Sequence, residues 1–215
     1  MSDDMTGGYV TQDWWLVRHA PVNAGTIYGH LDLDADFSDT NRLDTLAQLL
    51  PKDGVVITSD LTRCRETARR ILRQQMRAGY PIQERTALRE QSFGLWEGKT
   101  YQEVAAADAE RYRDFFENPA TCKPEEGESF QDLLSRVQRE VDTIQRSEET
   151  RNFVLVTHAG VIRAIVGLAL SMMPEKTLSL AVDPLSLTHL TSFQRDGNTH
   201  WRVNFVNDLN RTQYP

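Results

Sequence analysis

The chain has 215 residues, with 24 lysines and arginines against 31 aspartates and glutamates, for a formal net charge of −7. Hydrophobic residues at 40% and charged residues at 26% are the usage of an ordinary folded domain, and they exclude a disordered tail. The acidic balance disfavours nucleic acid and anionic membrane surfaces as partners but leaves room for a local basic pocket. The length predicts one domain over residues 1–215 that carries an insertion. The only cysteines, Cys64 and Cys122, form no Cys-x-x-Cys pair, which predicts no disulfide framework and fits a cytoplasmic location. Residues 1–8 lack the charged and apolar regions of a targeting signal, and Val161 to Met173 is too short and too interrupted to span a bilayer.

In chain order, Trp14-Trp15-Leu16-Val17 reads as a buried strand that stops at Arg18. Leu43 to Leu50 suits a helix. Val55 to Thr58 is a second unalternating β-branched run, of the kind central parallel strands show because both faces are covered. Leu61, Cys64, Ala68, Ile71 and Leu72 then share a helix face behind Ser59-Asp60, either of which is a candidate cap. Tyr101 to Phe116 suits a helix, and residues 118–127 form a turn-rich loop. Phe130, Leu133, Leu134, Val137, Val141 and Ile144 mark the apolar stripe of a longer helix. Phe153 to Thr157 is the third buried strand, Val161 to Leu170 a helix, and Ser186 to Phe193 and Trp201 to Phe205 late strands. This alternation predicts a three-layer α/β/α sandwich with a mainly parallel central sheet.

The strand ends hold the unusual polar residues: Arg18-His19, Ser59-Asp60-Leu61-Thr62-Arg63 and Thr157-His158-Ala159-Gly160. As parallel neighbours, these strands bring Arg18, His19, Arg63 and His158 to one crevice at their carboxyl ends. Arginine's planar fork matches phosphate oxygens, and it stays charged at any working pH. Neutral imidazole is a nucleophile toward phosphorus, and a second imidazole can donate to an equatorial oxygen. A helix N-terminus adds a dipole that favours an anion. The pattern asks for a phosphoryl group.

These segments resemble the histidine phosphatase superfamily, the phosphoglycerate-mutase-like phosphohydrolases and mutases. Leu16-Val17-Arg18-His19-Ala20 looks like the family's Arg-His signature, which implies that His19 becomes phosphohistidine. Thr58 to Ala68 is similar to the second motif and puts Arg63 at the phosphate-binding position. Leu88-Arg89-Glu90-Gln91-Ser92-Phe93-Gly94-Leu95-Trp96-Glu97-Gly98 resembles the stretch holding the general acid, which implies Glu90 in that role; Glu97, a second carboxylate near Phe93 and Trp96, competes for it and otherwise reads as structural or loop-positioning. Gly127-Glu128-Ser129 looks like the substrate-loop segment, and Val156 to Arg163 matches the second-histidine motif. Tyr28-Gly29-His30-Leu31-Asp32 is similar to the loop over the phosphate site; with Pro21 it looks most like the α-ribazole phosphatase branch. Asn23, Tyr28, Gly29 and Ser129 are the substrate-loop candidates. The chain departs from the family at Ala20 and Asn41, where many members have glycine, and in the acidic stretch Leu33 to Ser38.

The resemblance implies metal-independent hydrolysis of a small phosphorylated metabolite, with no cofactor. His19 attacks phosphorus, Arg18, Arg63 and His158 hold its oxygens, and Glu90 serves the leaving group. A phosphomutase and a non-catalytic phospholigand-binding module are the alternatives. The Phe-Gly-x-Trp-Glu-Gly pattern and the short chain favour hydrolysis over a mutase. Residues 99–129 are expected to form a helical cap over the pocket, in which Lys99, Arg111, Arg113 and Lys123 are further candidates for the leaving group. The late segment from Leu178 offers an edge for a homodimer. Arg65, Arg69 and Arg70 read as a solvated helix face, Cys64 as a core residue, and His30, His189 and His200 as non-ligands. No helix carries a His-x-x-x-His pair, so no metal site is expected.

Overall fold

The computed structural model describes residues 8–147 and 150–209. Residues 1–7, most of the segment read for a targeting signal, lie outside it. The elements are β1 (Val10–Arg18), α1 (Thr40–Leu49), β2 (Val55–Thr58), α2 (Thr62–Gln74), β3 (Ile82–Glu84), α3 (Tyr101–Ala107), α4 (Ala109–Glu117), α5 (Phe130–Ser147), β4 (Asn152–Thr157), α6 (Ala159–Ala169), α7 (Pro174–Thr177), β5 (Leu187–Arg195) and β6 (Asn198–Asp208). Short 3-10 turns at Thr86–Leu88 and Gly94–Trp96 lie between β3 and α3. Among the described residues no helix is long and apolar enough to cross a membrane.

The six strands form one sheet in the order β3-β2-β4-β1-β5-β6. β3, β2, β4 and β1 run parallel, while β5 and β6 add on antiparallel. Successive side chains of a strand face opposite sides of its sheet, and the central strands divide accordingly. Trp14, Leu16, Ile57, Phe153 and Leu155 pack with Leu133 and Val137 of α5 and Ile162 and Ile165 of α6. Trp15, Val17, Val56, Val154 and Val156 pack with Leu43 and Leu46 of α1 and Cys64, Ala68 and Ile71 of α2 on the other side. The expected sandwich is therefore present, with both faces of the parallel strands covered. β1 leads into α1 on one face and β4 into α6 on the other, so a crevice opens between them at the strands' carboxyl ends.

Several local readings change. The helix expected over Tyr101 to Phe116 breaks at Asp108, which leaves helical geometry (φ −147°) and accepts from Arg111 N at 3.1 Å to cap α4. Neither Ser59 nor Asp60 caps α2. Asp60 is drawn off by Arg89 (Nε to Oδ1, 2.7 Å), and the cap comes from Asp32, which accepts from Thr62 N at 2.8 Å and Thr62 Oγ1 at 2.7 Å. Asn41, read as a stand-in for a glycine, lies inside α1, behind an Asp39 cap, and needs no left-handed backbone. The short edge strand β3 and the single turn α7 carried too little periodicity to be read from sequence.

A cap borrowed from a distant loop should behave energetically like any other. Asp32→Ala is expected to destabilise the fold by about 1 kcal/mol, seen as a lower urea midpoint at unchanged m-value.

Candidate active site

The parallel ladder brings the strand ends together. Arg18 of β1 pairs in register with Thr157 of β4, and Thr58 of β2 with Val156. His19 follows β1 directly, and its N–H donates to Thr157 O at 2.9 Å. His158 directly precedes α6. Both histidines are buried, with ring centroids 5.1 Å apart and planes at 64°. Ala20 N donates to Thr67 Oγ1 at 3.0 Å, and Thr67 Oγ1 donates to Arg63 O at 2.7 Å, so the nucleophile candidate's own loop is stitched to α2.

His19 Nδ1 lies 2.7 Å from Ala20 O. A carbonyl only accepts, so the Nδ1 position carries the proton and Nε2 keeps its lone pair. Burial, reinforced by the Arg63 guanidinium and then by Arg18, pushes the His19 pKa down to about 3 against the opposing pull of the Ala20 carbonyl. Burial likewise holds His158 well below the ordinary histidine range, helped by His19 and the same arginines. Cys64 Sγ is 3.4 Å from His158 Nε2, and burial raises its thiol pKa, so it packs as a small apolar group.

The guanidiniums are held by main-chain carbonyls. Arg63, in the first turn of α2 and fully buried, donates from Nη1 to Leu31 O at 3.0 Å and from Nη2 to Gly29 O at 2.6 Å. Tyr28 places its ring 5.3 Å from the Arg63 Cζ. Arg18 donates from Nη1 to Val182 O at 2.6 Å. In both arginines the Nε–H is buried and has no partner. Nε is likewise unpaired in Arg65, Arg70 and Arg85, so what sets Arg18 and Arg63 apart is their place at the strand ends beside the two histidines.

Glu90 reaches the same crevice from the turn after Thr86–Leu88. Its Oε1 accepts from Gly160 N at 3.1 Å and Gln91 N at 3.0 Å, which seats the carboxylate on the N-terminal turn of α6. A methyl group at Gly160 would overlap Glu90 Oε1, so only glycine leaves room for the carboxylate. Arg136 of α5 fastens this turn through bonds to Ala87 O, Arg89 O and Glu90 O of 2.7, 3.0 and 3.2 Å, and it pairs with Glu128 at 2.8 Å. In sequence Arg136 was one more charge between apolar helix positions, with nothing to mark it.

The substrate-loop candidates separate. Tyr28 and Gly29 lie against Arg63. Gly29 has no room for a side chain, because a Cβ there would collide with Gln91 O. Asn23 is exposed and its amide donates to Asp36 Oδ2 at 3.1 Å, while Ser129 Oγ accepts from Asp132 N at 3.1 Å and so caps α5. Arg111 pairs with Glu125 at 3.2 Å and with Asp108 at 3.4 Å. α3 and α4 rest through Val104, Tyr112 and Phe115 on Trp96 and Ile27.

A sheet of this order with buried imidazoles and arginines at its carboxyl edge defines an α/β phosphohydrolase of the histidine phosphatase type, and known proteins agree. The profile of the histidine phosphatase superfamily (branch 1) matches residues 14–208, and the chain belongs to that family. The adenosylcobalamin/alpha-ribazole phosphatase of Salmonella typhimurium (strain LT2) is 30% identical over 164 residues, 74% of this chain and 79% of the relative. The metal-independent phosphoserine phosphatase of Arabidopsis thaliana is 30% identical over 157 residues, 70% of this chain and 65% of the relative. Among solved structures, the alpha-ribazole phosphatase from Shigella flexneri superposes with a TM-score of 0.78 at 25% identity, covering 92% of this chain and 96% of that one.

The depressed histidine values have a defined sign. An unfolded histidine takes up a proton below about 6.5, whereas folded His19 does so only near 3. Their contribution to stability is complete above the unfolded value and is lost as pH falls from there toward the folded one. In an NMR titration the ring signals of His19 and His158 should stay unmoved from about pH 8 to about pH 5, a range that spans the usual histidine transition.

Proposed function

We propose that the protein is a metal-independent phosphomonoesterase that hydrolyses a small phosphorylated metabolite through a phosphohistidine on His19. The observation that carries this reading is a neutral, tautomerically oriented imidazole at the same strand ends as the buried Arg63 guanidinium and the half-buried Arg18 guanidinium, both held by main-chain carbonyls. His19 Nε2 attacks phosphorus in line and the ester P–O bond breaks. Arg18, Arg63 and His158 hold the non-bridging oxygens and neutralise the charge of the transition state. Glu90 passes a proton to the leaving alkoxide. It then takes one from the water that cleaves the phosphorus–nitrogen bond, returning His19 and releasing inorganic phosphate. The electrostatic work done by Mg²⁺ in other phosphoryl-transfer sites falls here to fixed cations.

The activities of these relatives share a phosphate on a small molecule. With the Tyr28 to Asp32 loop resembling the α-ribazole branch, α-ribazole 5′-phosphate is the first substrate to test. Residues 99–129 act as the cap over the leaving group, and the surface charge of −7 turns extended polyanions away while the pocket's field stays local.

A panel of α-ribazole phosphate, phosphoserine, phosphoglycerates, sugar phosphates and p-nitrophenyl phosphate, with and without EDTA, tests the reading. The expected result is chelator-insensitive release of inorganic phosphate. Transfer of phosphate back to an acceptor would favour a mutase, and binding without turnover a phospholigand module. His19→Ala should lower kcat by about 10³-fold or more and leave no acid-labile phosphoenzyme. Glu90→Gln should cost about 10²-fold or more on an alkyl phosphate but far less on p-nitrophenyl phosphate, whose leaving group departs without a proton.

A further inference from the structure

The sequence leaves Glu97 a general structural or loop-positioning reading, and its bonds make that task specific. Its Oε1 accepts from His30 N at 2.9 Å and from Phe93 N at 3.0 Å, and its Oε2 accepts from Leu31 N. The His30 N–H belongs to the same peptide group as Gly29 C=O, which accepts from Arg63 Nη2 at 2.6 Å. Carboxylate, peptide and guanidinium therefore form one continuous line, with the peptide polarised from both ends. Leu31 is tied to both partners as well, but through two successive peptide groups, its N–H on Glu97 and its C=O on Arg63 Nη1.

The other end of Glu97's network is the segment that carries Glu90. Phe93 N lies three residues beyond Glu90, and His30 Nε2 donates to Glu90 O at 3.0 Å. Main-chain bonds reinforce the seam: Ile27 N donates to Lys99 O at 2.8 Å and Gly98 N to Ile27 O at 2.9 Å. Gly98 makes that return with φ at +82°, a left-handed conformation that favours glycine. The loop over Arg63 and the turn bearing Glu90 are thus one clamped unit with the Glu97 carboxylate between them.

We propose that Glu97 is a positioning residue that serves as the remote counter-charge of Arg63 through the Gly29–His30 peptide and fixes Arg63 relative to Glu90. The inference rests on the phosphomonoesterase reading. A carboxylate bonded directly to Arg63 would occupy the donors that a phosphate needs. Placed one peptide away, Glu97 faces the buried cation without taking up any of its donors. Glutamine cannot replace it, because the side-chain NH₂ would face a main-chain N–H, donor against donor.

The test is Glu97→Gln, assayed on an alkyl phosphate that the wild type hydrolyses and on p-nitrophenyl phosphate. Loss of register between phosphate and proton donor should lower kcat on the alkyl ester by about a hundredfold, and by at least about tenfold less on p-nitrophenyl phosphate, which needs no proton. An equal fall on both substrates would mean only less folded enzyme and overturns the proposal. Should the variant not fold, hydrogen exchange of the wild type decides. Saturating inorganic phosphate should slow exchange at the His30 and Leu31 amides, and unchanged rates there reject the link to Arg63. A wild type that turns over neither ester refutes the phosphatase reading itself, a separate outcome.

Discussion

A guanidinium buried without a carboxylate against it is the constraint on which the pocket depends. Taking such a charge out of water costs several kcal/mol unless its donors are met, and Arg63 is fully buried with main-chain carbonyls on both terminal nitrogens. Carbonyl dipoles stabilise the cation without cancelling its charge, so its field still acts on its neighbours. The neutrality of His19 and His158 follows from burial and from this field together, since a third and a fourth positive charge in the same space are unfavourable. Cationic arginines and neutral imidazoles are thus two outcomes of one electrostatic arrangement. The first suits holding an anion and the second suits attacking it.

The scaffold around this arrangement is made of long-range ties. Thr157 Oγ1 donates to Leu88 O at 2.8 Å, linking the end of β4 to the turn that delivers Glu90, while Arg136 grips the same turn from α5. Asp32 completes the first turn of α2 from the loop that also supplies the carbonyls for Arg63. These contacts tie the irregular backbone around Asp32 and Glu90 to the strands and helices, where no helix or strand ladder reaches.

What was legible in the sequence follows from this division. Strands β1, β2 and β4 and helices α2, α5 and α6 could be read because burial on a regular element imposes a period, and Arg18, His19, Arg63 and His158 stood out as polar residues where apolar runs end. Motif likeness pointed to Glu90, and the structure shows why it lies at the crevice: the carboxylate needs the bare Cα of Gly160, a residue far away in the chain. The reading failed where a group's partner is remote in sequence. Asp60 looked like a helix cap because it is adjacent to α2, but Arg89 competes for it. Asp32 had no local reason to be a cap, and Arg136 gave no sign of the tertiary bonds it makes. No periodicity encodes a hydrogen bond between a loop and a helix that meet only after folding.

The position of β4 has a consequence for how the protein comes into being. It is inserted between β2 and β1, yet it is synthesised after both and after β3. Until more than half the chain has been made, His19 has no Thr157 carbonyl to hold its backbone and no second imidazole beside it, and the edge of β1 that β4 will pair with stays open. The pocket therefore draws on the chain's later half for its assembly: β4 for the His19 backbone, α6 for the Glu90 carboxylate and Val182 for Arg18.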